Sequence, residues 1–253
     1  MKIETMFAIE GRAAIVTGAS SGLGERFARV LAANEVRVLA VARRADRLAA
    51  LADEVPGVVA FAADVTDEDA RAAMVDAALD SFGSIDLLVN NAGVASAVPA
   101  LEEPLEDFVH AVDVNLVAAF DLARRCARPM IDAGRGSIVN VASMFGLVAG
   151  TPLASSSYIA TKAGLVHLTR QLGCEWARKG VRVNAIAPGW FPTDMTQLVA
   201  PGTPADDLVA ANCPMRRFGE MHELDGILLY LASDASTYCT GQVISVDGGW
   251  TAR

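Results

Sequence analysis

No run of apolar residues in this chain approaches the ~20 that span a bilayer. The opening Met1-Lys2-Ile3-Glu4-Thr5-Met6 lacks the hydrophobic centre of a signal peptide. Cysteine is sparse: Cys126, Cys174, Cys213 and Cys239 are far apart with no C-x-x-C, the pattern of reduced thiols and not of a disulfide framework. His110, His167 and His222 show no ligand spacing, so no metal is expected. Basic residues are outnumbered, 21 Lys and Arg against 30 Asp and Glu, for a net charge of -9. That balance argues against nucleic acid or anionic membrane as the main partner. What remains is the expectation of a cytoplasmic protein acting on a small molecule.

What the sequence does have is apolar residues, 53% of 253, enough for a substantial core, and a regular alternation of strand-like and helix-like stretches. Residues 12–17 read as a buried strand running into Gly18-Ala19-Ser20-Ser21-Gly22-Leu23-Gly24 and then a helix over about 25–33. Strand, glycine-rich turn and helix is the arrangement that binds a dinucleotide: glycines let the backbone approach the pyrophosphate, and the helix N-terminus offers it free N–H groups. The bland alternative is an ordinary β–α turn. A second strand, 36–41, ends in Ala42-Arg43-Arg44 with no acid until Asp46. An acid there would accept from a ribose 2′-OH, whereas arginine pairs a 2′-phosphate, so NADP(H) is favoured, with NAD(H) possible. The competing reading makes both arginines solvated residues opening the next helix.

Strand ends carry the polar residues throughout. The third strand, 58–63, leads to Asp64-Val65-Thr66-Asp67, with Asp67 expected as an N-cap for a helix over 68–82. The fourth, 85–89, ends in Asn90-Asn91-Ala92-Gly93. A long helix is expected over 105–133, broken near Pro129, with Asn115 an oddity in its apolar run because a buried amide needs partners. Strand 136–143 ends in Ser143, strand 181–186 ends at Pro188-Gly189, and 194–217 reads as a mobile insertion. A helix near 220–232 and a strand 242–246 close the chain. The expected fold class is α/β, a single doubly wound parallel sheet with helices on both faces, forming one domain.

Tyr158-Ile-Ala-Thr-Lys162 places a tyrosine and a lysine on one helix face. A tyrosine is a poor base at neutral pH, and lowering its pKa by roughly 3 units takes about 4 kcal/mol of differential interaction. A fixed ammonium is expected to supply it, while Ser143 holds a carbonyl or alkoxide oxygen. Ser155, Ser156 and Ser157 precede the tyrosine and are expected to be caps, which leaves Ser143 as the catalytic hydroxyl. Met144, Phe145, Leu147, Trp190 and Met195 would form an apolar pocket or pack as core.

Together, Thr17-Gly18-x-x-x-Gly22-x-Gly24, Asn90-Asn91-Ala92-Gly93, Asn115, Ser143, Tyr158-x-x-x-Lys162 and Pro188-Gly189 resemble the short-chain dehydrogenase/reductase family, in its order and over nearly the whole chain. The resemblance implies an NAD(P)(H)-dependent oxidoreductase interconverting a ketone and a secondary alcohol. Tyr158 would be the general acid/base, Lys162 would lower its pKa and hold the nicotinamide ribose, and Asn115 would anchor a water leading to Lys162. The implied cofactor set is Thr17, Gly18, Ser20, Ser21, Gly22, Leu23 and Gly24 of the loop, Arg43, Asp64 and Val65, Asn91, Ala92 and Gly93, then Tyr158, Lys162, Pro188, Gly189 and Thr193. Two features depart from the pattern. The Ser143–Tyr158 gap is about two residues longer than usual, and Ser21 stands where NADP(H)-preferring members often carry a base, so Arg43 is expected to hold the phosphate nearly alone. A homotetramer joined through 105–133, 158–179 and the last strand is also implied. Polyol or sugar-acid dehydrogenases such as gluconate 5-dehydrogenase, and 3-oxoacyl reductases, fit equally. A cofactor-binding sensor without catalysis would have lost Tyr158 or Lys162, and neither is lost.

Overall fold

The computed structural model describes residues 3–150, 155–194 and 204–252. Its strands are β1 (Ala13–Thr17), β2 (Arg37–Ala42), β3 (Val58–Ala62), β4 (Leu87–Asn90), β5 (Gly136–Val141), β6 (Val181–Pro188) and β7 (Val243–Val246). All pair in parallel, in the order β3-β2-β1-β4-β5-β6-β7. A parallel pair needs a crossover, and right-handed crossovers running outward in both directions from β1 leave a crevice between β1 and β4, at the strands' carboxyl ends. Every polar strand end named above falls on that rim.

Strand periodicity sorts side chains onto two apolar layers, since successive residues point to opposite faces. Ala14, Val16, Val38 and Val89 meet α2 (Gly22–Ala33), α3 (Ala45–Glu54) and α9 (Asp225–Ala232), through Phe27, Leu31, Leu48 and Leu228. Ile15, Leu39, Leu88 and Ile138 meet α4 (Glu68–Phe82), α6 (Ala118–Asp132) and α7 (Ser156–Trp176), through Met74, Leu122, Met130 and Leu172. β1 and β4 are buried along their whole lengths, as strands covered on both faces must be. Among the rest, α1 is a single turn (Ile3–Met6), α5 spans Leu105–Val112 and α8 spans Pro204–Asn212.

Three expectations need correction. The long helix does not break at Pro129, which sits inside an uninterrupted α6. The irregularity is a π turn, Asp113–Val117, between α5 and α6, centred on Asn115. Such bulges insert a residue into a helix to redirect side chains, and no periodicity in the sequence announces one. The serines before Tyr158 are not caps by hydrogen bonding. Ser155 holds the N-cap position of α7 without a capping bond and donates to Ser96 O, while buried Ser157 donates to Glu103 Oε1. Both hydroxyls tie α7 to the loop after β4. Finally, the expected mobile insertion contains α8, and its residues 195–203 lie outside the described residues. Asp67 does cap α4, accepting from Asp69 N and Ala70 N at 2.9 and 3.1 Å.

A buried ion pair fixes α4 to α6. Arg71 and Asp121 are 6% and 4% exposed, joined Nε to Oδ2 at 2.5 Å, and Arg71 also donates to Val65 O at 2.8 Å. Burial pulls the Asp121 carboxyl up, but hydrogen bonds from Arg71 and Arg125 outweigh it and hold the pKa below the usual range. Its folded value is thus depressed, so the stability it contributes is present above the unfolded pKa and lost as pH falls through the folded one. Asp121→Ala should cost about 3–5 kcal/mol in urea unfolding at neutral pH, because it strands a buried guanidinium. Replacing both partners by Leu and Met should recover much of that loss, and equal loss in the single and double variants would show that the pair is not the source.

Candidate active site

Close packing at the end of β1 dictates the glycine loop. A side chain at Gly24 would place its Cβ 2.3 Å from Gly18 O, and Gly18 takes φ +68°, so neither position accepts another residue without strain. The loop is locked from below by the neighbouring strand end. Thr17 Oγ1 accepts from Asn91 N and Ala92 N, both at 3.0 Å, and Asn91 Nδ2 donates to Thr17 O at 2.9 Å. Thr17 is 1% exposed and Asn91 borders the cleft, so the threonine shapes the loop from behind.

One cleft of about 560 Å³ follows the rim. It is bounded by Gly18, Ser20, Ser21, Gly22 and Leu23 on the loop, Arg43 after β2, and Asp64 and Val65 after β3. Asn91, Ala92 and Gly93 floor it, and Ser143, Tyr158, Lys162, Pro188, Gly189 and Thr193 close its other end. Of the residues expected at the site, only Thr17, Gly24 and Asn115 stand behind this surface, and each braces a residue that does line it. The chemistry of the donors fits a dinucleotide: the N-terminus of α2 and a glycine cradle at the middle, guanidinium groups where β2 ends, and a hydroxyl, phenol and amine at the far end.

Arg44 is the residue that sequence reasoning passed over in favour of Arg43. It occupies the N-cap position of α3 in extended conformation, which swings its side chain back over the loop. Its Nε donates to Ser20 Oγ at 3.0 Å and its Nη2 to Ser21 Oγ at 2.5 Å. Ser21 therefore does not leave the ribose end short of a base; its hydroxyl orients one. Arg43, 67% exposed at its side chain, pairs with Asp64 at 3.9 Å. The Asp64 carboxyl is held low mainly by the N–H and hydroxyl of Thr66, with the Arg43 charge a smaller contributor.

At the other end, Ser143 terminates β5 and its Oγ accepts from Phe145 N at 3.1 Å, while Tyr158 hydrogen-bonds to Ser143. The longer gap between the two therefore still brings the hydroxyls together. Lys162 is 4% exposed; its Nζ donates to Val141 O at 2.7 Å and lies 5.6 Å from the centre of the Tyr158 ring. Gly93 packs against both Lys162 and Asn115. A Cβ there would lie 3.5 Å from Lys162 Nζ and 3.3 Å from Asn115 Oδ1. Asn115 uses its amide fully on the protein: Oδ1 accepts from Val94 N at 2.8 Å, and Nδ2 donates to Val94 O and Thr161 Oγ1 at 2.9 and 3.0 Å.

Burial pushes the Tyr158 phenol up, with the Ser143 hydrogen bond pulling the other way. Burial likewise lowers Lys162, to about 8. Beyond Tyr158 lies an aromatic cluster: Phe145 and Trp190 meet edge to face at 5.5 Å, and Trp250 lies 6.3 and 6.0 Å from them. Met144 and Ile159 belong to the same cluster. Leu147 is exposed instead, and Met195 lies outside the described residues.

A family model described as enoyl-(acyl carrier protein) reductase matches residues 18–251. The chain is 39% identical over 253 residues to a galactitol 2-dehydrogenase (L-tagatose-forming) of Cereibacter sphaeroides, covering 99% of each. It is 36% identical over 245 residues to a 3-oxoacyl-[acyl-carrier-protein] reductase of Thermotoga maritima, covering 95% of this chain and 98% of that one. Among solved structures, a gluconate 5-dehydrogenase from Burkholderia cenocepacia in complex with NADP and tartrate aligns with a TM-score of 0.94 at 32% identity over 100% of both chains. With likeness of this extent along its length, and with Ser143, Tyr158 and Lys162 at the end of a glycine-loop cleft, the chain belongs to the short-chain dehydrogenase/reductase family.

Proposed function

We propose that this protein is an NADP(H)-dependent oxidoreductase interconverting a ketone and a secondary alcohol. The observation that carries the reading is the continuity of one cleft from Arg44 and the glycine loop to Ser143, Tyr158 and Lys162. Bound there, NADP(H) supplies or accepts the hydride. In the reductive direction Tyr158 gives its proton to the substrate oxygen and Ser143 donates a hydrogen bond to the charge that develops on it. A raised phenol pKa keeps that proton in place through neutral pH, which suits an acid better than a base. Lys162 compensates the phenolate left behind and offers N–H donors toward a ribose. Asn115 is a positioning residue, linking Val94 on the rim to Thr161 beside Lys162.

The substrate end supports an uncharged substrate. The cations bordering the cleft are Arg43 and Arg44, at the ribose end, and Lys162. Among the described residues, no charged residue occurs in 136–150, 155–161 or 183–193, the segments that carry Ser143, Tyr158, Pro188 and Thr193. Among the described lining residues a sugar acid's carboxylate would meet no cation at this end except buried Lys162, and the aromatic cluster behind Tyr158 favours a ketone of apolar bulk.

We further read the protein as a homotetramer of the cytoplasm. Leu105, Val109, Val117 and Phe120 are exposed along α5, the π turn and α6, a stripe that assembly would cover. All four cysteines are unpaired, and burial pushes the Cys126 thiol up to about 12, which fits a reducing compartment.

Four outcomes test these readings. Tyr158→Phe should lower turnover by about 10²–10⁴-fold and leave NADPH binding, followed by fluorescence titration, nearly intact. In the same assay, kcat/KM for NADPH, which reports the free enzyme, should decline as pH rises through about 8, where Lys162 loses its charge. Wild-type turnover by Tyr158→Phe, or a profile flat to pH 10, would remove the corresponding role.

Comparing kcat/KM for NADPH and NADH at one ionic strength tests the ribose end. Arg44→Ala should lose roughly 10- to 100-fold of the preference for NADPH, the worth of a charge-assisted hydrogen bond. Arg43→Ala should lose less, and Ala42→Asp should invert the preference; an unmutated enzyme indifferent to the phosphate would overturn the cofactor assignment. For assembly, sedimentation should give a tetramer at micromolar concentration and smaller species for Phe120→Lys, and a monomeric unmutated chain would refute it.

A further inference from the structure

The segment that leaves β6 crosses the mouth of the cleft and returns to the ribose end. Thr193 packs on the glycine loop, its Cβ 3.3 Å from where a Cβ on Gly22 would lie. The next residue, Asp194, reaches the arginines: its Oδ2 is 3.4 Å from Arg44 Nη1 and 3.3 Å from Arg47 Nη1. Hydrogen bonding with Ser21, then with Arg44, holds its carboxyl below the usual range. The groups that orient Arg44 are thus Ser20, Ser21 and an anion from a residue 150 positions away.

Resting on the NADP(H) reading, we propose that Asp194 is a built-in competitor for the 2′-phosphate, its carboxylate occupying the guanidinium edge that the cofactor's phosphate would take. Carboxylate and phosphate are received by the same fork of N–H donors. Arg44 has five such donors and three named bonds, so the competition is not a matter of exhausted hydrogens. It is electrostatic: a phosphate monoester carries about -1.5 to -2 at neutral pH, and two anions on one guanidinium repel. NAD(H), which brings no such charge, leaves the Asp194–Arg44 contact as it is. The device lowers the advantage of NADP(H) below what a bare arginine would confer, and it ties that advantage to the segment carrying Thr193.

Calorimetric titration of 2′,5′-ADP and of 5′-AMP isolates the ribose end from the chemistry. The proteins needed are the unmutated chain, Asp194→Asn, Arg44→Ala and the double variant. Asp194 is 51% exposed, so its replacement leaves the core intact. Asp194→Asn should bind 2′,5′-ADP roughly two- to fivefold more tightly, the worth of an exposed ion pair, and 5′-AMP as before. The gain should shrink with added salt and be smaller when Arg44 is already alanine, Arg47 then being the remaining partner of Asp194. Unchanged or weaker binding of 2′,5′-ADP by Asp194→Asn overturns the proposal, weaker binding meaning that Asp194 instead holds Arg44 in place for the phosphate. An unmutated chain that fails to prefer 2′,5′-ADP over 5′-AMP is a different result: it defeats the NADP(H) reading itself.

Discussion

An amine buried at the edge of a parallel sheet is the constraint around which this site is built. Lys162 is 4% exposed and its pKa falls to about 8 through desolvation, so its charge persists only where the fold supplies partners. One is Val141 O, at the last residue of β5. Beside the amine lies Gly93, where a Cβ would crowd Asn115 Oδ1 at 3.3 Å and touch Lys162 Nζ at 3.5 Å. Asn115 in turn reaches that spot because a π turn interrupts the helix there. A strand end, a glycine and a helical irregularity from three separate stretches of sequence thus converge on one ammonium. Tyr158 is placed by the same helix, one turn before.

Much of this was legible because the rim of a doubly wound sheet concentrates polar residues at strand ends, where apolar runs stop abruptly. Thr17-Gly18, Asp64, Asn90-Asn91, Ser143 and Pro188-Gly189 all punctuate such runs, and all lie on or directly behind the cleft. Less legible were features that depend on how one element begins. Arg43 and Arg44 are adjacent and chemically identical; which one turns to the loop is decided by the extended N-cap conformation of Arg44 and by Ser20 and Ser21 across the gap. The π turn had no signature beyond an amide among apolar residues. Ser155 and Ser157 looked like caps because their composition suits caps, yet their partners, Ser96 and Glu103, lie more than fifty residues away in sequence. Spacing encodes faces of one helix or strand; it does not encode contacts between elements.

The distribution of charge separates recognition from chemistry. A chain with net charge -9 nevertheless sets Arg43, Arg44 and Arg47 at the β2–α3 corner, where Asp64 and Asp194 pair with them. At the opposite end the one cation among the described lining residues is the buried amine of Lys162. The guanidinium groups at the ribose end therefore act on a phosphate at short range, against the net charge of the chain.

The two ends are nevertheless joined by a single short run of backbone. Pro188 ends β6 and pairs in register with Val246 of β7, and Gly189 N donates to Val246 O at 2.9 Å, so the start of the run is fixed to the sheet. Gly189 must be glycine there, since a Cβ would lie 2.6 Å from the backbone of Asp247. Five residues later Asp194 touches Arg44. Between these anchors Trp190 enters the aromatic cluster behind Tyr158, while Thr193 rests on the glycine loop. Any charge that changes the Asp194 contact therefore acts on a segment whose other side chains rest on the aromatic cluster and the glycine loop. Coupling through such a run requires no rearrangement of the sheet, because its strand end is pinned and only its last residues rest on contacts that an anion can replace.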